Sequence, residues 1–147
     1  MRTPLAMFIA VGTAAFVLSR IPVGAAQGQP GKSVWDGVYA EAQAGRGAGV
    51  FSEKCAKCHA TDLGGGDAPA LIGREFAMDW DGLTLAQLFD RVFTSMPQDA
   101  PRSLSREETT AVLAYILQKN SFPAGQADLS DQMDALKQIQ YSVMKKP

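Results

Sequence analysis

Cysteine and histidine are scarce in this chain of 147 residues, which contains two cysteines and one histidine. A structural zinc site takes four ligands, so the three residues of these types cannot complete one by themselves. With one histidine, the chain also cannot hold a metal between two imidazoles. The alternation of apolar and polar residues that indicates strands is missing as well, which removes the βαβ setting of a thioredoxin-like CxxC motif. The absence of a strand pattern favours an all-α fold.

Long runs of one residue class are also absent. No basic run exceeds the pair Lys145-Lys146, and the formal net charge is −1, so nothing favours nucleic acid as a partner. No internal repeat is present, and the length fits one domain. The chain is 46% hydrophobic and 20% charged, which is the composition of a globular protein rather than a disordered one.

The N-terminal stretch carries the features of a targeting segment. Arg2 precedes an apolar run over residues 5–18, which is too short to span a bilayer comfortably. Small residues follow at 24–26, where a signal peptidase would cut. We therefore interpret residues 1–26 as a secretory signal peptide and residues 27–32 as a flexible tail. The alternative is an uncleaved membrane anchor. If the segment is cleaved, the sequence indicates no membrane association.

The two cysteines and the histidine are neighbours in the sequence. Cys55, Cys58 and His59 have the spacing C-x-x-C-H, which is the attachment signature of c-type haem. Each thiol adds to a vinyl group to form a thioether, and the histidine becomes the proximal iron ligand. A structural disulfide between Cys55 and Cys58 is the alternative, but it would not need the histidine. We predict one haem c, covalently attached through both cysteines.

A haem that carries electrons without binding small molecules needs a sixth iron ligand. Since no second histidine exists, a methionine thioether is the expected donor, and His/Met ligation raises the reduction potential. Met96 is the best candidate because Pro97 and Pro101 place it in a loop. Met78 is the alternative, although it follows His59 too closely to reach the other haem face easily. The predicted metal ligands are therefore His59 and Met96.

Three further residues are predicted to contact the haem. The carbonyl of Pro69 would hold the second ring nitrogen of His59, although an ordinary loop proline is an equal alternative. Leu71 would then pack on the haem face. The indole N–H of Trp80 would bind a haem propionate, or equally a water or a backbone carbonyl.

Helical spacing and capping patterns predict the elements around the motif. A first helix is expected from Ser33 to about Gly45, where several glycines weaken it, and a second helical stretch carries Phe51 into the motif. A short helix is expected over residues 75–80. The capping boxes at Thr84 and Ser105 begin two clearer helices.

The last predicted helix lies in the C-terminal extension. Ser130 would cap it, and a weaker apolar stripe runs from Met133 to Val143. This helix would pack back on the domain, or alternatively dock a partner.

With these residues placed, the chain resembles the class I cytochromes c over roughly residues 47–119. The matching features are Gly47 and Phe51 before the haem motif, Pro69 and Leu71 after it, then Ser95-Met96-Pro97, and finally Ala114-Tyr115. The resemblance implies an all-α class I cytochrome c fold around one haem, with Gly47 and Phe51 meeting Tyr115 where two helices cross. It divides the chain into a cytochrome domain over residues 33–125 and a C-terminal helical extension over residues 126–147.

The region from residue 76 to residue 125 is similar to small cytochromes that serve periplasmic quinoprotein dehydrogenases. The resemblance implies a periplasmic electron carrier rather than an enzyme, with a dehydrogenase as donor and an oxidase or another cytochrome as acceptor. One alternative is a cytochrome subunit of a quinoprotein dehydrogenase complex. Another is a haem sensor or enzyme with an open sixth site.

Overall fold

The computed structural model describes residues 31–145. The predicted signal peptide and most of the predicted tail lie outside the described residues. Within residues 31–145, none of the helices has both the length and the apolar character needed to cross a bilayer.

Six α-helices, one 3-10 helix and two very short strands make up the fold of the described residues. In chain order they are β1 (Lys32–Ser33), a 3-10 helix (Val34–Asp36), α1 (Glu41–Lys54), α2 (Ala56–His59), α3 (Gly73–Trp80), α4 (Leu85–Ser95), α5 (Arg106–Lys119), α6 (Met133–Leu136) and β2 (Ile139–Gln140). The helical prediction is confirmed, and the two-residue parallel pairing of β1 with β2 is an addition that the sequence pattern did not indicate.

Helices α1 and α5 cross in close contact and form the centre of the domain. A Cβ atom on Gly47 would lie 1.8 Å from the carbonyl oxygen of Ala111, so only glycine allows the backbones to approach this closely. One turn further on, the rings of Phe51 and Tyr115 lie 5.5 Å apart between centroids. The expected meeting of Gly47 and Phe51 with the helix of Tyr115 is therefore confirmed.

The apolar face of α4 packs beside this crossing. Leu85, Leu88 and Phe89 are buried on α4, and Leu113 and Leu117 are buried on α5. Full burial of a side chain of this size stabilises the fold by roughly 1.5–3 kcal/mol. The core thus lies between α1, α4 and α5, and it leaves the segments that follow α2 and α4 free to surround a cavity.

The start of the described chain differs from the sequence prediction. Ser33 and Asp36 do form a capping box, but they begin a 3-10 helix that ends at Gly37 in the left-handed region with φ 64°. The long helix starts later, at Glu41, and continues through Gly45 without a break. The predicted break was wrong because tertiary packing of α1 on α5 outweighs a glycine cost of roughly 1 kcal/mol per residue.

The C-terminal extension also differs from its prediction. Helix α6 has four residues, and the chain beyond it becomes extended instead of continuing helically to Val143. The Tyr141 N–H donates to the Leu83 carbonyl at 2.7 Å, and the Gly82 N–H donates to the Tyr141 carbonyl at 2.9 Å. Pairing with the α3–α4 connection satisfies the backbone groups that a helix would have satisfied internally. The extension does pack back on the domain, as predicted.

The two capping boxes are where the sequence places them. The Gln87 side chain accepts from the Thr84 N–H at 2.9 Å, and the Glu108 side chain accepts from the Ser105 N–H at 2.7 Å. Glu108 has a second partner, because the Lys54 ammonium lies 3.0 Å away and ties the start of α5 to the end of α1. The backbone hydrogen bond at Ser105, followed by the Lys54 contact, lowers the pKa of Glu108 below its ordinary value of 4.5.

Replacing Glu108 by glutamine should make the stability of the protein less dependent on acid pH. A carboxyl with a lowered folded pKa stabilises the fold above its unfolded pKa, and this contribution disappears as the pH falls through the folded pKa. Glutamine keeps the capping box but removes the charge. Guanidinium unfolding of the Glu108→Gln variant from about pH 7 to about pH 3 should therefore show a shallower acid slope. The exposed neighbour Glu107 gives the matched control, and a Glu107→Gln slope equal to that of Glu108→Gln would contradict the prediction.

Candidate haem site

A cavity of about 500 Å³ opens between the haem motif, α3, α4, α5 and the segment after α4. Its size falls in the range of roughly 300–1,000 Å³ that is usual for cofactor sites. Every residue predicted to contact the haem lines it: Cys55, Cys58, His59, Pro69, Leu71, Trp80 and Met96. The structure thus brings together residues that are up to 41 positions apart in the sequence.

The imidazole of His59 is held by the loop that follows it. Its Nδ1 atom lies 2.8 Å from the carbonyl oxygen of Pro69, which is the contact that the sequence predicts. A proton on Nδ1 would donate to this carbonyl and leave Nε2 with a free lone pair for a metal. The loop is fixed in turn, because the Ala68 N–H donates to the Cys58 carbonyl at 3.0 Å and the Leu71 N–H donates to the Leu63 carbonyl at 2.8 Å.

Asn120 supports this loop, and the sequence analysis did not predict that role. Its side-chain amide donates to the Leu71 carbonyl at 2.9 Å, and its side-chain oxygen accepts from the Gly73 N–H at 3.3 Å. Asn120 follows the last residue of α5. It joins α5 to the loop that carries Pro69 and Leu71.

The two cysteines are half-buried free thiols. Burial is the main cause that raises the pKa of the Cys55 thiol to about 11, with smaller opposing and reinforcing effects of Lys54 and Cys58. Among residues 31–145, no group of three or more Cys, His, Asp or Glu side chains could hold a metal ion. A zinc site is therefore a poor description of the motif.

Among the methionines of residues 31–145, Met96 is the one that lines the cavity. It follows the last residue of α4, and its N–H donates to the Val92 carbonyl at 3.0 Å. Met78, the alternative ligand, is 62% exposed on α3 and does not line the cavity. The structure therefore favours Met96 over Met78 as the sulfur donor.

Charged side chains lie at the edge of the cavity. Lys57, inside the haem motif, forms an ion pair with Asp99, which lies in the segment after Met96. The hydrogen bond within this ion pair raises the pKa of Lys57 and lowers the pKa of Asp99.

Trp80 and Arg91 are also part of the lining. Both are able to donate hydrogen bonds to a carboxylate, which is the polar group that a haem carries.

The residues present fit a haem. The lining is mainly apolar, with leucine, isoleucine, valine and phenylalanine side chains from α3, α4 and α5. The donor set comprises one oriented imidazole and one thioether, and two thiols stand at the attachment spacing. These donors suit iron in a porphyrin and fail to complete a zinc tetrahedron.

A helical domain in which a C-x-x-C-H motif and a methionine line one apolar cavity defines a class I c-type cytochrome. The chain belongs to the family described as cytochrome c oxidase, cbb3-type, subunit III, whose model matches residues 42–116. This family implies haem c as the cofactor and haem-based electron transfer as the activity. The resemblance to class I cytochromes c found in the sequence is thereby confirmed.

One solved structure supports the same fold. The crystal structure of the sulfane dehydrogenase SoxCD from Paracoccus pantotrophus matches with a TM-score of 0.50 and 22% sequence identity. The match covers 73% of this chain and 61% of the SoxCD chain, so this chain spans less than two thirds of the length of the SoxCD chain. Comparison with curated protein sequences gives no match.

Proposed function

We propose that this protein is a periplasmic electron carrier with one haem c, bound through Cys55 and Cys58 and ligated by His59 and Met96. The observation that supports it is one mainly apolar cavity whose lining includes Cys55, Cys58, His59 and Met96. The haem supplies an iron that gains and loses one electron.

The surrounding residues would set the properties of that iron. The Pro69 carbonyl holds Nδ1 of His59, which fixes the plane of the ring and increases the basicity of the other nitrogen. The Met96 sulfur favours the ferrous state and so raises the reduction potential. Leu71, Val112 and Ile116 form part of the apolar lining of the cavity, and an apolar shell around the iron would favour its less charged state.

The proposed carrier makes and breaks no substrate bond. Its partners would be redox proteins, with a periplasmic dehydrogenase as donor and an oxidase or another cytochrome as acceptor. Residues 1–26 support export, with a soluble product after cleavage or an anchored one if the segment is retained.

A dedicated subunit of a dehydrogenase complex is the second candidate. The likeness to a dehydrogenase structure is compatible with it, but it concerns the fold alone. The contacts of the C-terminal extension favour the free carrier, because they face the chain's own domain. Gln43 exchanges two hydrogen bonds with the Leu129 backbone, at 3.0 and 2.7 Å. Gel filtration of a native extract separates the candidates, since a free carrier elutes near its own mass.

The decisive experiment is a pyridine haemochrome assay combined with mass spectrometry of the exported protein. We expect one haem per chain, and a mass equal to the chain without residues 1–26 plus one haem. The Cys58→Ser variant should keep one thioether to Cys55, and the double cysteine variant should release its haem on denaturation. A colourless wild-type protein with free or mutually bonded thiols would refute the proposal.

A further inference from the structure

The ion pair between Lys57 and Asp99 connects two parts of the haem site. Lys57 lies between the two cysteines and two residues before His59, whereas Asp99 lies three residues after Met96. Both residues line the cavity, and their side chains are 68% and 58% exposed. The pair therefore links the segment that would attach the haem to the segment that would supply its sulfur ligand.

The segment after Met96 has few other attachments. Its backbone hydrogen bonds are local, from the Ala100 N–H to the Pro97 carbonyl at 3.0 Å and from the Ser103 N–H to the Ala100 carbonyl at 3.2 Å. Residues 98–103 are exposed, and the next buried side chain is Leu104. Among the described residues, Lys57–Asp99 is the one hydrogen-bonded contact that joins this segment to the haem motif.

We propose that Lys57 and Asp99 are positioning residues that keep Met96 on the iron by closing this segment over the cavity. The proposal rests on the ligand role of Met96 proposed above. When the ion pair is absent, the segment opens more often, and a small external ligand can take the sixth position. The pair therefore controls the access of such ligands to the iron.

An exposed ion pair contributes little to global stability, but local opening responds to it directly. The apparent affinity of an external ligand is proportional to the fraction of molecules whose sixth position is open. A segment with few attachments opens at low cost, so a small contribution from one contact changes this fraction measurably. For an exposed pair we expect a change of about twofold to fivefold.

The test is the titration of ferric holoprotein with imidazole, followed by its optical spectrum. The Asp99→Asn and Lys57→Gln variants should each bind imidazole about twofold to fivefold more tightly than the wild type. The exchanged pair, Lys57→Asp with Asp99→Lys, should restore the wild-type affinity. High salt should bring the wild type towards the single variants, because it screens exposed charges.

A second exposed ion pair provides the matched control. Arg46 and Asp128 are similarly exposed and link α1 to the C-terminal extension, away from the cavity lining. The Asp128→Asn variant should leave imidazole binding unchanged. An equal increase in imidazole affinity in Asp128→Asn, or no increase in Asp99→Asn, would overturn the proposal.

The failure of this proposal is distinguishable from the failure of the proposed ligand set. The weak long-wavelength ferric band that marks methionine–iron bonding in class I cytochromes c reports on the ligand itself. If this band survives in Met96→Ala, the ligand assignment is overturned, together with the positioning role. If the band is lost in Met96→Ala while Asp99→Asn binds imidazole like the wild type, only the positioning role is overturned.

Discussion

Replacing Met96 by alanine should abolish the long-wavelength ferric band and lower the reduction potential of the haem. Alanine has no sulfur, so the iron loses the ligand that favours its ferrous state. We expect the potential to fall by on the order of 0.1 V or more, within the roughly 0.8 V that axial ligands span. Optical spectroscopy of the ferric protein and a redox titration measure the two effects.

Met78 gives the matched control for this experiment. It is exposed on α3 and lies outside the cavity lining, so Met78→Ala should change neither the band nor the potential. If Met78→Ala loses the band and Met96→Ala keeps it, the two ligand assignments must be exchanged. If neither variant loses it, the sixth ligand is another methionine.

Replacing Gly47 by alanine should destabilise the protein strongly and reduce the amount that acquires haem. The new Cβ would lie 1.8 Å from the oxygen and 2.4 Å from the carbon of the Ala111 carbonyl. Both atoms belong to the backbone of α5, so the contact is relieved only if the two helices separate. We expect a loss of about 3 kcal/mol or more in the free energy of unfolding, at the upper end of the cost of overpacking.

Gly49 lies on the same helix and serves as the control for Gly47. A Cβ on Gly49 would meet nothing within 4 Å, so Gly49→Ala should stabilise the helix by roughly 0.5–1 kcal/mol. Guanidinium unfolding of the two ferric holoproteins measures the difference. Equal stabilities of Gly47→Ala and Gly49→Ala would show that the close approach of α1 and α5 does not limit stability.

Local signals in the sequence were read correctly, because both partners of each contact lie close together in the chain. The capping boxes at Thr84 and Ser105 each join residues three positions apart and begin the helices predicted there. The contact of His59 with the Pro69 carbonyl spans ten residues, and the proline loop indicated it. Met96 was predicted as a ligand from chemical need, because the chain has one histidine, and the structure places Met96 in the cavity lining.

The features that the sequence did not reveal depend on distant partners. Helix α1 continues through Gly45 because it packs on α5, and the C-terminal extension becomes extended because it pairs with the connection before α4. Asn120 bonds to a carbonyl 49 residues away, and Asp99 pairs with a lysine 42 residues away. No local sequence pattern predicts the partner of Asn120 or of Asp99. Only the three-dimensional structure shows that both residues lie at the haem site.

The parallel pairing of β1 with β2 has a consequence for the order in which the chain is completed. Lys32 lies opposite Ile139, so β1, the first element of the described chain, cannot pair until β2, its last element, has been synthesised. Contacts of such large separation close a long loop and form late. During synthesis, Cys55 and Cys58 therefore leave the ribosome long before the ends of the domain can meet, while the polypeptide around them is still open.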